Sequence, residues 1–161
     1  MRGLCFLINN CMLIKEIELY ENTCMGSSSD ASAAGSFLMG ENKELNIKDE
    51  VDKFAQWAMR RLHVKNPVKI DLSYDTKDAR ENHHTGSHTE GSGTIWVYAK
   101  NRNLVDILRT VFHEIVHCRQ SELDMIKPGD SYPGSPIEAM ADMLSGKYIK
   151  IYGEKNHHIF Q

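Results

Sequence analysis

The chain has few cysteines, and none of them are close together. The four residues Cys5, Cys11, Cys24 and Cys118 are widely and irregularly spaced, without any C-x-x-C unit. This spacing excludes a zinc-ribbon set of cysteines. A disulfide framework stays possible in principle because the count is even, but a chain of 161 residues can build a core without cross-links. We therefore expect free thiols in a reducing compartment.

Long hydrophobic runs are also missing. No stretch approaches the roughly 20 apolar residues that a membrane span needs. The apolar segment within residues 1–14 is interrupted by Asn9 and Asn10, and no small-residue cleavage site follows it. Met12 is an alternative start, because residues 12–20 read as a strand on their own. We expect a soluble, cytoplasmic protein without a signal peptide or a membrane partner. If a phage encodes it, the expected localisation is the host cytoplasm or the virion.

An excess of positive charge is the third absence. The formal net charge is −3 and the isoelectric point is near 6.2, which argues against a protein that mainly binds nucleic acid. Residues 21–46 are rich in Ser, Gly and Ala, but they lack the Gly-Lys-Ser/Thr ending of a phosphate-binding loop. We interpret them as a flexible arm, which is a possible contact to a larger assembly.

From residue 47 onwards the hydrophobic pattern becomes regular. Apolar residues recur at helical spacing over 47–62, with Asn46 as the expected N-cap, and then alternate over 68–72 as in a half-buried strand. A second strand is expected from Thr94 to Lys100, followed by helices over 104–123 and from 136 to about 152. This order predicts an α+β domain over 47–161, with an N-terminal strand and arm over 1–46.

The longer of these two helices carries the run His113-Glu114-Ile115-Val116-His117, an HExxH pattern. Residues four apart share a helix face, so both imidazoles can bind one metal ion. Glu114 lies about 100° round the helix, where it can act as general base for a water on the metal. The apolar side chains of this helix gather on the other face. Two surface histidines without a metal are the alternative reading.

A catalytic zinc needs a third protein ligand, and Glu138 is the best candidate. The next helix begins Ser135-Pro136-Ile137-Glu138, which is also a capping box, so an N-cap role alone is the alternative for Glu138. Asp142 lies one turn later over the same face. From there it can accept the second ring N–H of a histidine ligand.

Other chemistry-bearing residues give weaker signals. Tyr132, in the loop before the last helix, is a candidate to stabilise an oxyanion, although a plain turn residue explains it equally well. Cys118 follows His117 but projects about 100° away from it, so a buried small residue is expected there. We interpret His83, His84 and His88 as part of a solvated loop, with a second metal site as the alternative. His157 and His158 are expected to lie in a frayed tail.

The HExxH run together with Glu138-Ala139-Met140-Ala141-Asp142 resembles the gluzincin arrangement of zinc metallopeptidases, in particular its compact bacterial and phage versions. The resemblance spans about residues 47–153. It implies a minimal zincin-like domain: a short antiparallel sheet, a backing helix, an active-site helix and a second ligand-bearing helix. The helical second domain of the larger members is missing.

Specific roles follow from this resemblance. His113, His117 and Glu138 would hold one Zn²⁺, Glu114 would activate water, and Asp142 would support a histidine. The family's antiparallel edge strand would correspond to the strand from Thr94 to Lys100, which could bind a peptide or protein substrate by strand addition.

The implied activity is zinc-dependent hydrolysis of peptide bonds. A zincin-like binding or assembly module that keeps its zinc without catalysis is the alternative. A protease acting on DNA-bound proteins is a third possibility, which the acidic balance and the missing zinc-ribbon cysteines disfavour.

Overall fold

A computed structural model describes residues 46–77, 84–88, 92–127, 129–130 and 132–161. Its first helix, α1 (Ile47–Arg61), begins as the sequence predicts, because the Asn46 Oδ1 accepts the Lys48 N–H at 3.1 Å. The helix ends within one residue of the predicted 62, and His63 beyond it takes a left-handed backbone conformation with φ of 51°. The predicted strand over 12–20, the arm up to residue 45 and the three cysteines before it lie outside the described residues.

Three short strands form one mixed sheet. They are β1 (Lys69–Ser73), β2 (Gly86–His88) and β3 (Thr94–Tyr98), in the order β1-β3-β2. Strands β1 and β3 pair in parallel, with Ile70 opposite Ile95, whereas β2 and β3 pair antiparallel, with Gly86 opposite Val97. The α+β class is confirmed, but the expected purely antiparallel sheet is wrong.

The expectation that the strand from Thr94 to Lys100 lies at the sheet edge is also wrong. Strand β3 is central, with hydrogen-bonded neighbours on both sides. Ile95 and Val97 are fully buried while Thr94, Trp96 and Tyr98 are half-buried, which is an alternation that central and edge strands share. Among the described strands, β2 forms the edge that packs against the helix Leu104–Glu122, and its Gly-Ser-His sequence has no strand signal of its own.

Helices α2 (Leu104–Glu122) and α3 (Pro136–Gly153) complete the main architecture, followed by a 3₁₀ turn, His157–Phe160. An aromatic cluster joins them to α1: the Phe112 and Tyr148 rings stack with centroids 5.0 Å apart, and Phe54 meets Tyr152 edge-on at 4.8 Å. Among the described residues, no helix is both long enough and apolar enough to cross a lipid bilayer.

The C-terminal turn is ordered, so the frayed tail expected at His157 and His158 is wrong. Ile159 is only 2% exposed, and the His158 Nε2 lies 3.3 Å from the Glu50 carboxylate of α1. The same carboxylate accepts the Tyr152 hydroxyl at 2.9 Å. One buried apolar side chain and a polar contact to α1 therefore hold the segment in place.

Candidate metal centre

The two histidines of the HExxH run lie side by side on α2. Their Nε2 atoms are 3.0 Å apart, and the ring centroids are separated by 4.7 Å. Helical spacing explains this proximity, because residues at i and i+4 lie one above the other on a helix face. The His117 side chain is 11% exposed and that of His113 is 19% exposed. The pair is thus shielded from solvent, although it is not sealed.

Glu138 reaches the same point from the first turn of α3. Its Oε2 lies 3.1 Å from the His113 Nε2 and 3.4 Å from the His117 Nε2. The predicted N-cap is present as well, since the Glu138 N–H donates to the Ser135 Oγ at 3.3 Å. The Ser135 N–H, however, donates to the Tyr132 carbonyl and not to Glu138. The cap therefore orients the backbone, while the carboxylate turns towards the histidines.

The outer nitrogens of both rings face hydrogen-bond acceptors. The His113 Nδ1 is 3.1 Å from the Asp142 Oδ1, as the sequence predicts, and the His117 Nδ1 is 2.8 Å from the Gln120 Oε1. The Gln120 amide is fixed in this orientation because its Nε2 donates to the Ile137 carbonyl at 3.2 Å. With the proton on each Nδ1, donated to these acceptors, each Nε2 presents the lone pair that metal binding needs.

Three electron-rich atoms thus converge, with distances of 3.0, 3.1 and 3.4 Å between them. Two bare imidazole nitrogens and a carboxylate oxygen repel one another unless a cation lies between them. Ligands about 2.05 Å from a tetrahedral metal lie about 3.3 Å from each other. His113, His117 and Glu138 therefore form a group that can hold a metal ion.

The electrostatics of His117 suit a metal ligand. Burial lowers its pKa below the usual value, and the neighbouring His113 lowers it further. A lowered pKa favours the neutral imidazole, which is the form that binds metal. The part of the helix around His117 is polar in sequence but buried in the structure, and the Gln120 side chain beside it contacts the Ile137 carbonyl at the start of α3.

Glu114 is buried beside this group and is only 8% exposed. Within the described part of the chain, its carboxylate accepts no hydrogen bond. Burial raises its pKa to about 7, and the nearby negative charge of Glu138 adds to the shift. A carboxylate with this pKa can take up and release a proton near neutral pH.

Strand β2 runs directly against Glu114. A Cβ added at Gly86 would lie 2.8 Å from the Glu114 Oε1 and 2.6 Å from the Thr110 Cγ2. Both distances are below ordinary van der Waals contact, so the close approach of the strand requires glycine at this position. The sheet edge and the Glu114 carboxylate therefore border the same space.

Other residues singled out in the sequence are not part of this group. Tyr132 is 56% exposed in the loop before α3, and its expected role at an oxyanion stays a prediction. Cys118 is buried and free, as predicted. His84 and His88 lie near and on β2, and they belong to no second group of three ligands among the described residues, whereas His83 is outside them.

Sequence reasoning missed the role of Gln120. Its position three residues after His117 places it on the histidine face, and this spacing is the signal that was present. Its hydrogen bond to Ile137 depends on how α3 packs, which the spacing does not reveal.

Comparisons of the chain with protein-family models, with curated proteins and with solved structures found no match. The case for a function therefore depends on the geometry of this site.

Proposed function

We propose that the chain is a zinc-dependent peptidase whose ion is held by His113, His117 and Glu138. The observation that carries this proposal is the convergence of three lone pairs within 3.4 Å, beside a buried carboxylate that accepts no hydrogen bond from the described residues. Two nitrogen ligands and one oxygen ligand match the donor set of hydrolytic zinc sites. Zinc, when bound, supplies a Lewis acid that lowers the pKa of a coordinated water and polarises a carbonyl.

The protein's own residues would divide the remaining work. Glu114 accepts the proton of the attacking water and then donates it to the amide nitrogen of the leaving group. Asp142 and Gln120 hold the two imidazole rings in the orientation and tautomer that binding requires. The outer edge of β2 offers backbone groups to an extended peptide beside Glu114. This edge replaces the one predicted at Thr94 to Lys100.

The test compares zinc-loaded protein with chelator-treated protein on a diverse peptide library analysed by mass spectrometry. We expect cleavage with zinc, loss of cleavage after chelation, and recovery on adding zinc back. Glu138→Gln is expected to lower both zinc affinity and cleavage, because it replaces a charged ligand with a neutral amide. Arg60→Gln, an exposed change on α1, is the matched control and should keep both.

Two other outcomes would lead to different conclusions. One bound zinc per chain without cleavage of any peptide would favour a binding or assembly module that keeps its metal site. A well-folded protein that binds no zinc would contradict both readings. The expected contact to a larger assembly through the arm over 21–46 stays a prediction, since the arm up to residue 45 lies outside the described residues.

A further inference from the structure

A cavity of about 360 Å³ opens next to the metal centre. His113, Asp142 and Thr85, the residue before β2, are among the residues that line it. Every residue that lines it carries a polar or charged side chain. Pockets for apolar groups have mostly hydrophobic walls, so this cavity is suited to a polar or charged group. Its volume accommodates a single amino-acid side chain with part of its backbone.

One arginine in the wall is fully engaged. The Arg102 Nε donates to the Asp106 Oδ2 at 2.9 Å, while its terminal nitrogens donate to the Tyr98 carbonyl and the Thr110 Oγ1 at 2.8 and 2.7 Å. The Arg102 side chain is only 13% exposed. Its charge is matched by Asp106, so this pair builds the wall and leaves no net charge there.

A second arginine is placed differently. Arg109 is exposed and lies one helical turn before His113, on the same face of α2. Within the described residues, its side chain makes neither an ion pair nor a hydrogen bond. The other acid of the cavity, Asp142, faces the His113 ring. Arg109 is therefore the cation in the wall that no described carboxylate neutralises, and a divalent ion at the triad would add positive charge.

We propose that this cavity is a specificity subsite for a carboxylate of the substrate, bound by the Arg109 guanidinium. The inference rests on the proposed peptidase function and names its substrate class: peptides with an acidic group next to the scissile bond. Thr85 lies in the wall where β2 begins, so a peptide alongside β2 passes the mouth of the cavity. An Asp or Glu side chain and a free C-terminus both supply this carboxylate.

The test uses three matched peptides with zinc-loaded protein: one with an internal Glu, one with Gln in its place, and one with Gln and a free C-terminal carboxylate at the same spacing. All other ends are blocked. We expect wild type to prefer one acidic peptide over the neutral one by about tenfold to a hundredfold in kcat/KM, mainly through KM. The acidic peptide that is preferred identifies the source of the carboxylate.

Arg109→Gln is expected to reduce this acidic-to-neutral ratio to near one, and Arg109→Glu to reverse it so that the neutral peptide is preferred. Arg60→Gln should leave the ratio as in wild type. A preference that survives Arg109→Gln, or a wild type without preference for acid, would overturn the proposal.

A binding measurement separates this proposal from the peptidase proposal. Fluorescent versions of the peptides are titrated against zinc-loaded protein, and no turnover is needed. If no peptide is cleaved but the acidic peptide binds more tightly in an Arg109-dependent way, the peptidase function fails and the subsite stands. Equal binding of acidic and neutral peptides would overturn the subsite even if hydrolysis is observed.

Discussion

Glu114 and Glu122 lie on the same helix and are both largely shielded from solvent, but their surroundings are opposite. The Glu122 carboxylate accepts the Lys65 and Asn66 N–H groups at 2.8–3.1 Å and pairs with Arg119 at 3.2 Å. Glu114 has a glycine backbone on one side and the negatively charged Glu138 nearby. The Glu122 carboxylate has hydrogen-bond and ion-pair partners, whereas the Glu114 carboxylate is buried without a hydrogen bond from the described residues.

Their pKa values follow from this difference. Burial alone would raise the pKa of Glu122, but the two backbone N–H groups and the Arg119 guanidinium outweigh it and hold the pKa below its usual value. Nothing similar offsets the burial of Glu114, so its pKa rises to about 7. The two residues are both glutamates on the same helix, so the opposite pKa shifts come from their different surroundings.

The largest effect is expected on peptide cleavage, where replacement of the two glutamates should give different results. Glu114→Gln should reduce peptide cleavage by about a thousandfold, because loss of a general base typically costs 10²–10⁴ in rate. Zinc should remain bound, since the three ligands are untouched. Glu122→Gln, the matched change on the same helix, should retain cleavage. Equal activity losses in the two variants, measured as kcat/KM with zinc content, would remove the distinction.

The second effect concerns stability of the metal-free protein. Because the folded pKa of Glu114 is raised from 4.5 to about 7, the folded state loses stability as pH rises across this window. The shift corresponds to about 3 kcal/mol at pH 8. Glu114→Gln removes this dependence, so the metal-free variant should be more stable than wild type at pH 8 and similar at pH 4.5. Urea unfolding with a chelator measures this, and a gap that does not change with pH would contradict it.

A smaller effect, on zinc affinity, is expected when the hydrogen-bond partner of His117 is removed. Gln120→Leu keeps the approximate volume but removes the acceptor for the His117 Nδ1 and the donor to the Ile137 carbonyl. Loss of such a supporting partner typically lowers metal affinity by about tenfold to a hundredfold. Zinc competition titration reports the change. Unaltered affinity in a folded variant would show that the tautomer of His117 is set in another way.

The smallest effect is expected from Glu122→Gln on stability. Loss of the charge on its hydrogen bonds should destabilise the fold by about 1–2 kcal/mol at pH 7. Since the folded pKa of Glu122 is lowered, this contribution is present above the unfolded value near 4.5 and is lost as pH falls through the folded pKa. Denaturant unfolding at a series of pH values checks this: the difference between variant and wild type should narrow as the pH is lowered below the unfolded value.

The parts of the site that the sequence predicted are those that helical spacing determines. His113 and His117 are four residues apart, as are Glu138 and Asp142, so each pair shares a face before any packing is known. Ser135 and Pro136 likewise mark the start of α3 correctly.

The parts that the sequence did not predict depend on contacts between distant segments. Strand β2 forms because β3 offers backbone partners and because Gly86 allows close approach to Glu114. The position of β3 at the sheet centre follows from this pairing, so its hydrophobic pattern alone did not distinguish centre from edge. Glu122 binds Lys65 and Asn66 across more than fifty residues of chain, and such a contact leaves no periodic signal in the sequence.

The central claim is that two imidazoles from α2 and one carboxylate from α3 hold a single zinc ion. X-ray absorption at the zinc edge of the zinc-loaded chain, combined with metal quantification, tests it most directly. We expect one zinc per chain, with scattering from two imidazoles and with nitrogen and oxygen neighbours at about 2.0–2.2 Å. A well-folded chain that retains no zinc would contradict the account. A sulfur neighbour at about 2.3 Å, which would mean ligation by a cysteine, would contradict it equally.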